Sequence, residues 1–169
     1  MSEKNIIVYP ISANPPTLGH ADIMRRAAHK FDTVFWVAAV DPDKSSYFPI
    51  DAKLAMMKDY VEHFGLTNVF VEHEGGSLVR YALKKKAKFI LRGIRNTSDL
   101  HSEMDLAVGY RGVDRSIETI CLFANPQLVM VSSTLVRQLA TVGERVDQYL
   151  LPSVAEKVTS CIQKIKQNR

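Results

Sequence analysis

The sequence predicts an α/β fold, a Rossmann-like doubly wound five-stranded parallel sheet with C-terminal helices, on three observations. Strand-like and helix-like segments alternate along the chain, one strand-like segment is an almost unbroken apolar run, and the polar clusters fall just after strands. Alternation of this kind wraps a parallel sheet in helices. An unbroken apolar strand suits burial on both faces of such a sheet. Doubly wound sheets bind ligands beyond the carboxyl ends of their strands, where the strand order reverses, so chemistry-bearing residues are expected there.

Each element has its own signal. Asn5 to Ser12 (NIIVYPIS) is a β-rich run ended by turn residues, and His20 to Lys30 follows as a helix with Ile23, Met24 and Ala27 on one face. Thr33 to Val40 (TVFWVAAV) is the unbroken apolar strand. Ile50 to Phe64 is helical, with Leu54, Met57, Val61 and Phe64 at three- and four-residue spacings. Val69 to Glu72 is a short strand, Leu78 to Lys85 a helix, and Phe89 to Arg92 a strand. Asp99 is placed to cap a helix continuing to Gly109, and Ile117 to Ala124 is the fifth strand. Leu151 to Gln167, with Pro152 near its start and Val154, Val158, Ile162 and Ile165 on one stripe, is an amphipathic helix.

The bulk properties narrow the function classes. The 169 residues are 46% hydrophobic and 24% charged, which predicts one globular domain spanning 1–169. A net charge of +4 suits an anionic small molecule and is too small to argue for nucleic acid. Cys121 and Cys161 are too few for a disulfide framework, the N-terminus lacks a signal-peptide pattern, and no apolar run reaches the ~18 residues of a membrane span. A soluble, cytoplasmic protein is expected. His29, His63, His73 and His101 lack metal-ligand spacing, so no protein-bound metal is expected. There is no Walker loop, no GxGxxG and no nucleophile elbow.

Four clusters follow strands. Ser12-Ala13-Asn14-Pro15-Pro16-Thr17-Leu18-Gly19-His20 could bind an anion with its histidine and the free N–H groups of the helix start, or could be a capped loop with a surface histidine. Lys44, in Asp41-Pro42-Asp43-Lys44-Ser45-Ser46, could reach a phosphate or simply be solvated. In Leu91 to Asp99, Arg92 belongs to an apolar strand, where a guanidinium needs an anion or a carboxylate such as Asp99. Ser132-Ser133-Thr134 offers more hydroxyls at a helix start than one cap requires; the surplus could suit phosphate oxygens, or the run could simply cap the helix.

Together, Thr17-Leu18-Gly19-His20 and Ser132-Ser133-Thr134-Leu135-Val136-Arg137 resemble the two motifs of the (T/H)xGH nucleotidyltransferase superfamily. Within it, Leu91 to Asp99 followed by Glu103, the Lys44 loop with Phe48, and Ile117-Glu118-Thr119 are similar to the phosphopantetheine adenylyltransferases, over about Ile7 to Val158. That resemblance implies ATP held by Ser12, Ala13, His20, Gly93, Ile94, Arg95, Glu103 and the segment Leu128, Val129, Met130, Val131, Ser132, Ser133 and Thr134. It implies 4′-phosphopantetheine held by Ser12, Lys44, Leu78 and Arg92, with His20, Lys44, Arg95 and Ser133 acting on the reacting phosphates. It also implies Mg²⁺ accompanying ATP, a homohexamer, and a place in coenzyme A synthesis, with no nucleic-acid or membrane partner.

The chain departs from that family's pattern at Ile11 and Asn14, where Gly and Asp are usual, and at Ser102 and Tyr110, where Tyr and Asn are common. Two other readings therefore stand beside the first. One is a nicotinamide or nicotinate mononucleotide adenylyltransferase, and the other a catalytically silent nucleotide-binding paralogue.

Overall fold

The computed structural model describes residues 4–40 and 46–167. Its elements run β1 (Ile6–Ile11), α1 (Leu18–Ala28), β2 (Thr33–Ala39), α2 (Ile50–His63), β3 (Val69–Glu74), α3 (Leu78–Lys84), β4 (Phe89–Ile94), α4 (Thr97–Val113), β5 (Glu118–Phe123), α5 (Ser133–Val142) and α6 (Pro152–Gln167). A short 3-10 turn, Pro126–Leu128, lies between β5 and α5. The five strands form one parallel sheet in the order β3-β2-β1-β4-β5. The chain winds outward from β1 through β2 to β3, then crosses back to lay β4 on the other side of β1. The reversal therefore falls between β1 and β4.

The sheet alternates its side chains between two cores. Ile7, Tyr9 and Ile11 of β1 join Met24, Trp36, Met57, Tyr60, Val136 and Val154 beneath α1, α2, α5 and α6. Val8 joins Val37, Val79, Ala82, Ile90 and Ile117 on the opposite face, with Leu78 of α3 and Tyr110 of α4 packed against them. The amphipathic α6 buries Val154, Val158 and Ile162 in the first core, beside α2 and α5.

The seam at the reversal is short. β1 matches β2 residue for residue from Ile6 to Ile11, but pairs with β4 only at Ile7↔Phe89 and Val8↔Ile90. Pro10 has no N–H to extend the second ladder. Its carbonyl instead accepts from Nη1 of Arg92 at 3.4 Å. Above Val8 the sheet opens, and the opening lies on the carboxyl side of the strands.

Three expectations are corrected at the element ends. α1 starts at Leu18 with Thr17 as its N-cap, so His20 sits at the third helical position instead of opening the helix. α4 is capped by Asn96, whose side chain accepts from the Asp99 N–H at 2.8 Å, and it runs on to Val113. Asp99 does not cap because its carboxylate is taken by Arg95. β4 continues to Ile94, so Arg92 and Gly93 lie within the strand.

Candidate active site

The β1–α1 loop is held from four directions. Ala13 takes a left-handed backbone (φ 48°) and is fully buried, turning the chain out of β1. The Asn14–Pro15 peptide bond is cis. Lys53 of α2 donates to the Ser12 carbonyl at 3.0 Å, and the Tyr47 N–H donates to Oδ1 of the buried Asn14 at 3.0 Å. Arg137 of α5 donates to the Asn14 carbonyl at 2.5 Å, and the Ser133 hydroxyl to the Pro15 carbonyl at 2.7 Å. Lys53 and Arg137 thus each grip a carbonyl oxygen, and neither pairs with a carboxylate among the described residues.

This loop fixes the state of His20. The Thr17 N–H and hydroxyl lie 3.1 and 2.9 Å from its Nδ1. A backbone N–H can only donate, so Nδ1 carries the lone pair and the ring proton sits on Nε2. Burial, then the positive charges of Arg95 and Arg92, push the imidazole down to about 4. His20 is therefore neutral at pH 7, a half-buried Nε2–H donor whose proton has no partner among the described residues.

β4 brings up the two arginines already paired. Arg92 presents Nε and Nη2 to the two oxygens of Glu103 at 2.5 and 2.8 Å, with side chains 20% and 13% exposed. Burial works against the guanidinium charge, yet the Glu103 carboxylate holds its pKa above the ordinary value. The carboxylate expected near Arg92 is thus Glu103, one turn beyond Asp99; Asp99 instead takes Nε and Nη2 of Arg95 at 2.9 and 3.2 Å. Gly93 lies between them where a Cβ would stand 3.4 Å from Ile23 and 3.7 Å from the Tyr9 hydroxyl, which keeps α1 close against β4. Burial raises the pKa of Tyr9 well above the usual phenol range, so it stays a neutral hydroxyl beside the arginines.

The start of α5 closes the far side. Gly19 faces the carbonyls of Leu128 and Val131, each 3.8 Å from where its Cβ would be, so the 128–131 segment borders the first turn of α1. All three expected hydroxyls have protein partners. Ser132 accepts from the Leu135 N–H as N-cap, Ser133 donates to Pro15, and Thr134 accepts from Arg137. What this turn offers an anion is its free backbone N–H groups at the positive end of the helix. Val131 is buried, while Met130 is 82% exposed at the mouth.

The expected residues therefore gather from three strand ends: Ser12, Ala13 and His20 from β1, Gly93, Ile94, Arg95, Arg92 and Glu103 around β4, and Leu128 to Thr134 after β5. Leu78 stands apart, at the start of α3 in the second core. Lys44 lies outside the described residues. A cleft of about 220 Å³ opens beside Ser12, lined by Asn14, Ser46, Lys53 and His73 among others. Sequence reasoning missed Lys53, although it sits three residues after Ile50, on the side of α2 that carries the apolar stripe. It also left Pro10, Tyr9 and Arg137 without roles; a proline inside a central strand was the available signal.

Residues 8–139 match the cytidylyltransferase-like family model, and the chain belongs to that family of nucleotidyltransferases. Its fold is shared with solved adenylyltransferases. The nicotinic acid mononucleotide adenylyltransferase of Plasmodium falciparum superposes with a TM-score of 0.70 at 14% identity, covering 94% of this chain and 96% of that one. The bifunctional NMN adenylyltransferase/ADP ribose pyrophosphatase of Francisella tularensis gives 0.72 at 16% identity, over 95% of this chain and 52% of that one. In sequence the chain sits among the phosphopantetheine adenylyltransferases. It is 36% identical to that of Lactiplantibacillus plantarum (89% of this chain, 91% of the relative) and 35% identical to that of Aliivibrio fischeri (95% and 98%).

Proposed function

We propose that this chain transfers the adenylyl group of ATP to 4′-phosphopantetheine, releasing pyrophosphate and giving dephospho-CoA, a step of coenzyme A synthesis. The observation that carries this reading is a neutral histidine donor facing two arginines across the open seam of the sheet. The relatives at 33–36% identity supply the acceptor.

The acceptor is a phosphate monoester with a second pKa of about 6, largely a dianion at pH 7, so it attacks the α-phosphorus without a general base. Catalysis then consists of holding two anions in line and meeting the charge that grows on the equatorial oxygens. Nε2–H of His20 donates to the α-phosphate. Arg92 and Lys44 hold the acceptor phosphate beside Ser12, and Leu78 faces the organic arm. Arg95 and the first-turn N–H groups of Ser133 and Thr134 take the departing pyrophosphate. Ser133 acts on the reactants through Pro15, since its hydroxyl proton is directed there. Ser12, Ala13, Gly93, Ile94, Glu103 and residues 128–132 line the nucleotide side. Mg²⁺ would arrive on the phosphate oxygens of ATP, where it would neutralise charge.

A cytoplasmic homohexamer is part of the same reading. No described helix is long and apolar enough to cross a membrane. α4 has no buried residue and leaves Met104 (59%), Val108 (74%) and Val113 (58%) in water, next to Phe123 (70%) on the edge strand β5. That apolar area suits copies of the chain packed together. The deciding experiment is pyrophosphate release from ATP with 4′-phosphopantetheine, with nicotinate or nicotinamide mononucleotide, and with no acceptor. Release with 4′-phosphopantetheine alone is expected. Release with a mononucleotide alone would reassign the acceptor, and none with any would leave a nucleotide-binding paralogue.

A further inference from the structure

We infer that Lys53 is a positioning residue: by holding the Ser12 carbonyl it keeps the Ser12–Ala13 peptide turned so that the Ala13 N–H is offered to the nucleotide. The inference rests on the function proposed above and deepens it. In a trans peptide the carbonyl and the following N–H point in opposite directions. Nζ of Lys53 draws the Ser12 carbonyl toward α2 at 3.0 Å, so the Ala13 N–H is directed away from α2. Ala13 is fully buried, and its N–H meets no acceptor among the described residues. Buried amides are nearly always hydrogen-bonded, so a donor left open at the end of β1 is one that a phosphate oxygen would satisfy.

The chain would not choose that orientation unaided. It requires the left-handed backbone of Ala13 (φ 48°), which a residue with a Cβ adopts only at a cost. Turning the peptide over changes ψ of Ser12 and φ of Ala13 and little else, so Ala13 would return to negative φ with its methyl still in the first core. The cost of the left-handed state and the worth of one hydrogen bond from a charged donor are of similar size, so that bond decides which way the peptide faces. The holds from Tyr47, Arg137 and Ser133 fall further along the loop, on Asn14 and Pro15. With Lys53 gone, a carbonyl oxygen would stand where the N–H stood. An attraction for phosphate would become a repulsion.

The test compares Lys53→Met, Ala13→Gly and the double variant with the wild type. Loss of a charged donor predicts kcat/KM for ATP lowered about tenfold or more in Lys53→Met. Glycine takes positive φ as readily as negative, so turning the peptide over no longer relieves strain, and the double variant should come back to within about threefold of the wild type. If Lys53 only stiffened α2 or supplied charge, glycine at position 13 would recover nothing, and that result would overturn the inference. So would an unchanged kcat/KM for ATP in Lys53→Met, or a loss confined to the acceptor KM, which would make Lys53 a contact of the acceptor phosphate. Thermal unfolding of each variant separates misfolding from mispositioning. The Ala13 amide resonance, assigned with Ala13→Gly, gives a readout independent of turnover. ATP without acceptor should shift it strongly in the wild type and weakly in Lys53→Met at equal saturation. No shift in the wild type, or equal shifts in both, would also overturn the inference. If the wild type makes no product from 4′-phosphopantetheine, the functional reading fails while this resonance still reports on Lys53 and the peptide it holds.

Discussion

The two banks of the cleft carry their positive charge differently. On the β4 bank each arginine has its own carboxylate, Glu103 for Arg92 and Asp99 for Arg95. On the β1 bank Lys53 and Arg137 hold carbonyl oxygens of the Ser12–Pro15 loop and meet no carboxylate among the described residues. A paired guanidinium is aimed but nearly neutral at a distance. A cation on a carbonyl keeps its full charge while its position is fixed by a dipole. The β4 bank is therefore built for geometry, and the β1 bank for potential. His20 stands between them, deprived of its own charge by both burial and the arginines.

The largest expected effect tests the residue between the banks. Replacing His20 by Ala should lower turnover about a hundred- to thousand-fold, the usual loss for one transition-state donor. ATP affinity should change only a few-fold, and near-normal turnover would remove His20 from the chemistry.

The next effect separates the banks by stability. Arg92→Met leaves Glu103 as a half-buried carboxylate without its partner and should destabilise by about 3 kcal/mol or more in denaturant unfolding. Arg92→Met combined with Glu103→Leu should recover much of that loss. If the double variant is as unstable as the single one, the β4 bank is not governed by charge pairing.

On the β1 bank no carboxylate is stranded. Lys53→Met or Arg137→Met should each destabilise by only about 1–2 kcal/mol, the value of hydrogen bonds from a charged donor. Burial lowers the Lys53 pKa, which puts its contribution toward the small end. A loss as large as that of Arg92→Met would erase the contrast.

A pH dependence returns to the residue between the banks. His20 has an ordinary pKa of 6.5 when unfolded and about 4 when folded, so the unfolded chain binds the extra proton between those values. Stability should fall as pH drops from 6.5 to 4, and Thr17 should lose its hold on Nδ1 below that window. Thermal midpoints of the wild type and His20→Gln across this range provide the check. Parallel curves would mean His20 is not the titrating group.

Much of the architecture was legible because it rests on patterns of period two and three to four. The unbroken run at Thr33 and the stripe on α6 needed no knowledge of the rest of the chain. The ends of elements were less legible, because they are decided by competition among side chains. Asp99 could have capped α4 from sequence, but Arg95 claims its carboxylate and Asn96 does the capping. The site was half visible. Residues recognised by type and position after strands, such as His20 and Arg95, do gather at the strand ends. Sequence could not reveal that the Ser133 and Thr134 hydroxyls are occupied by Pro15 and Arg137, since both partners are fixed by tertiary packing. Nor could it show that Arg92 would choose Glu103, eleven residues away across a strand–helix turn.

Pro10 carries a mechanical consequence. With β1 and β4 joined by two residue pairs only, the halves of the sheet meet along a line scarcely longer than one helical turn. Histidine rides on one half and the arginines on the other. Any small change of twist about that line alters the spacing across which two reactants must be brought into contact.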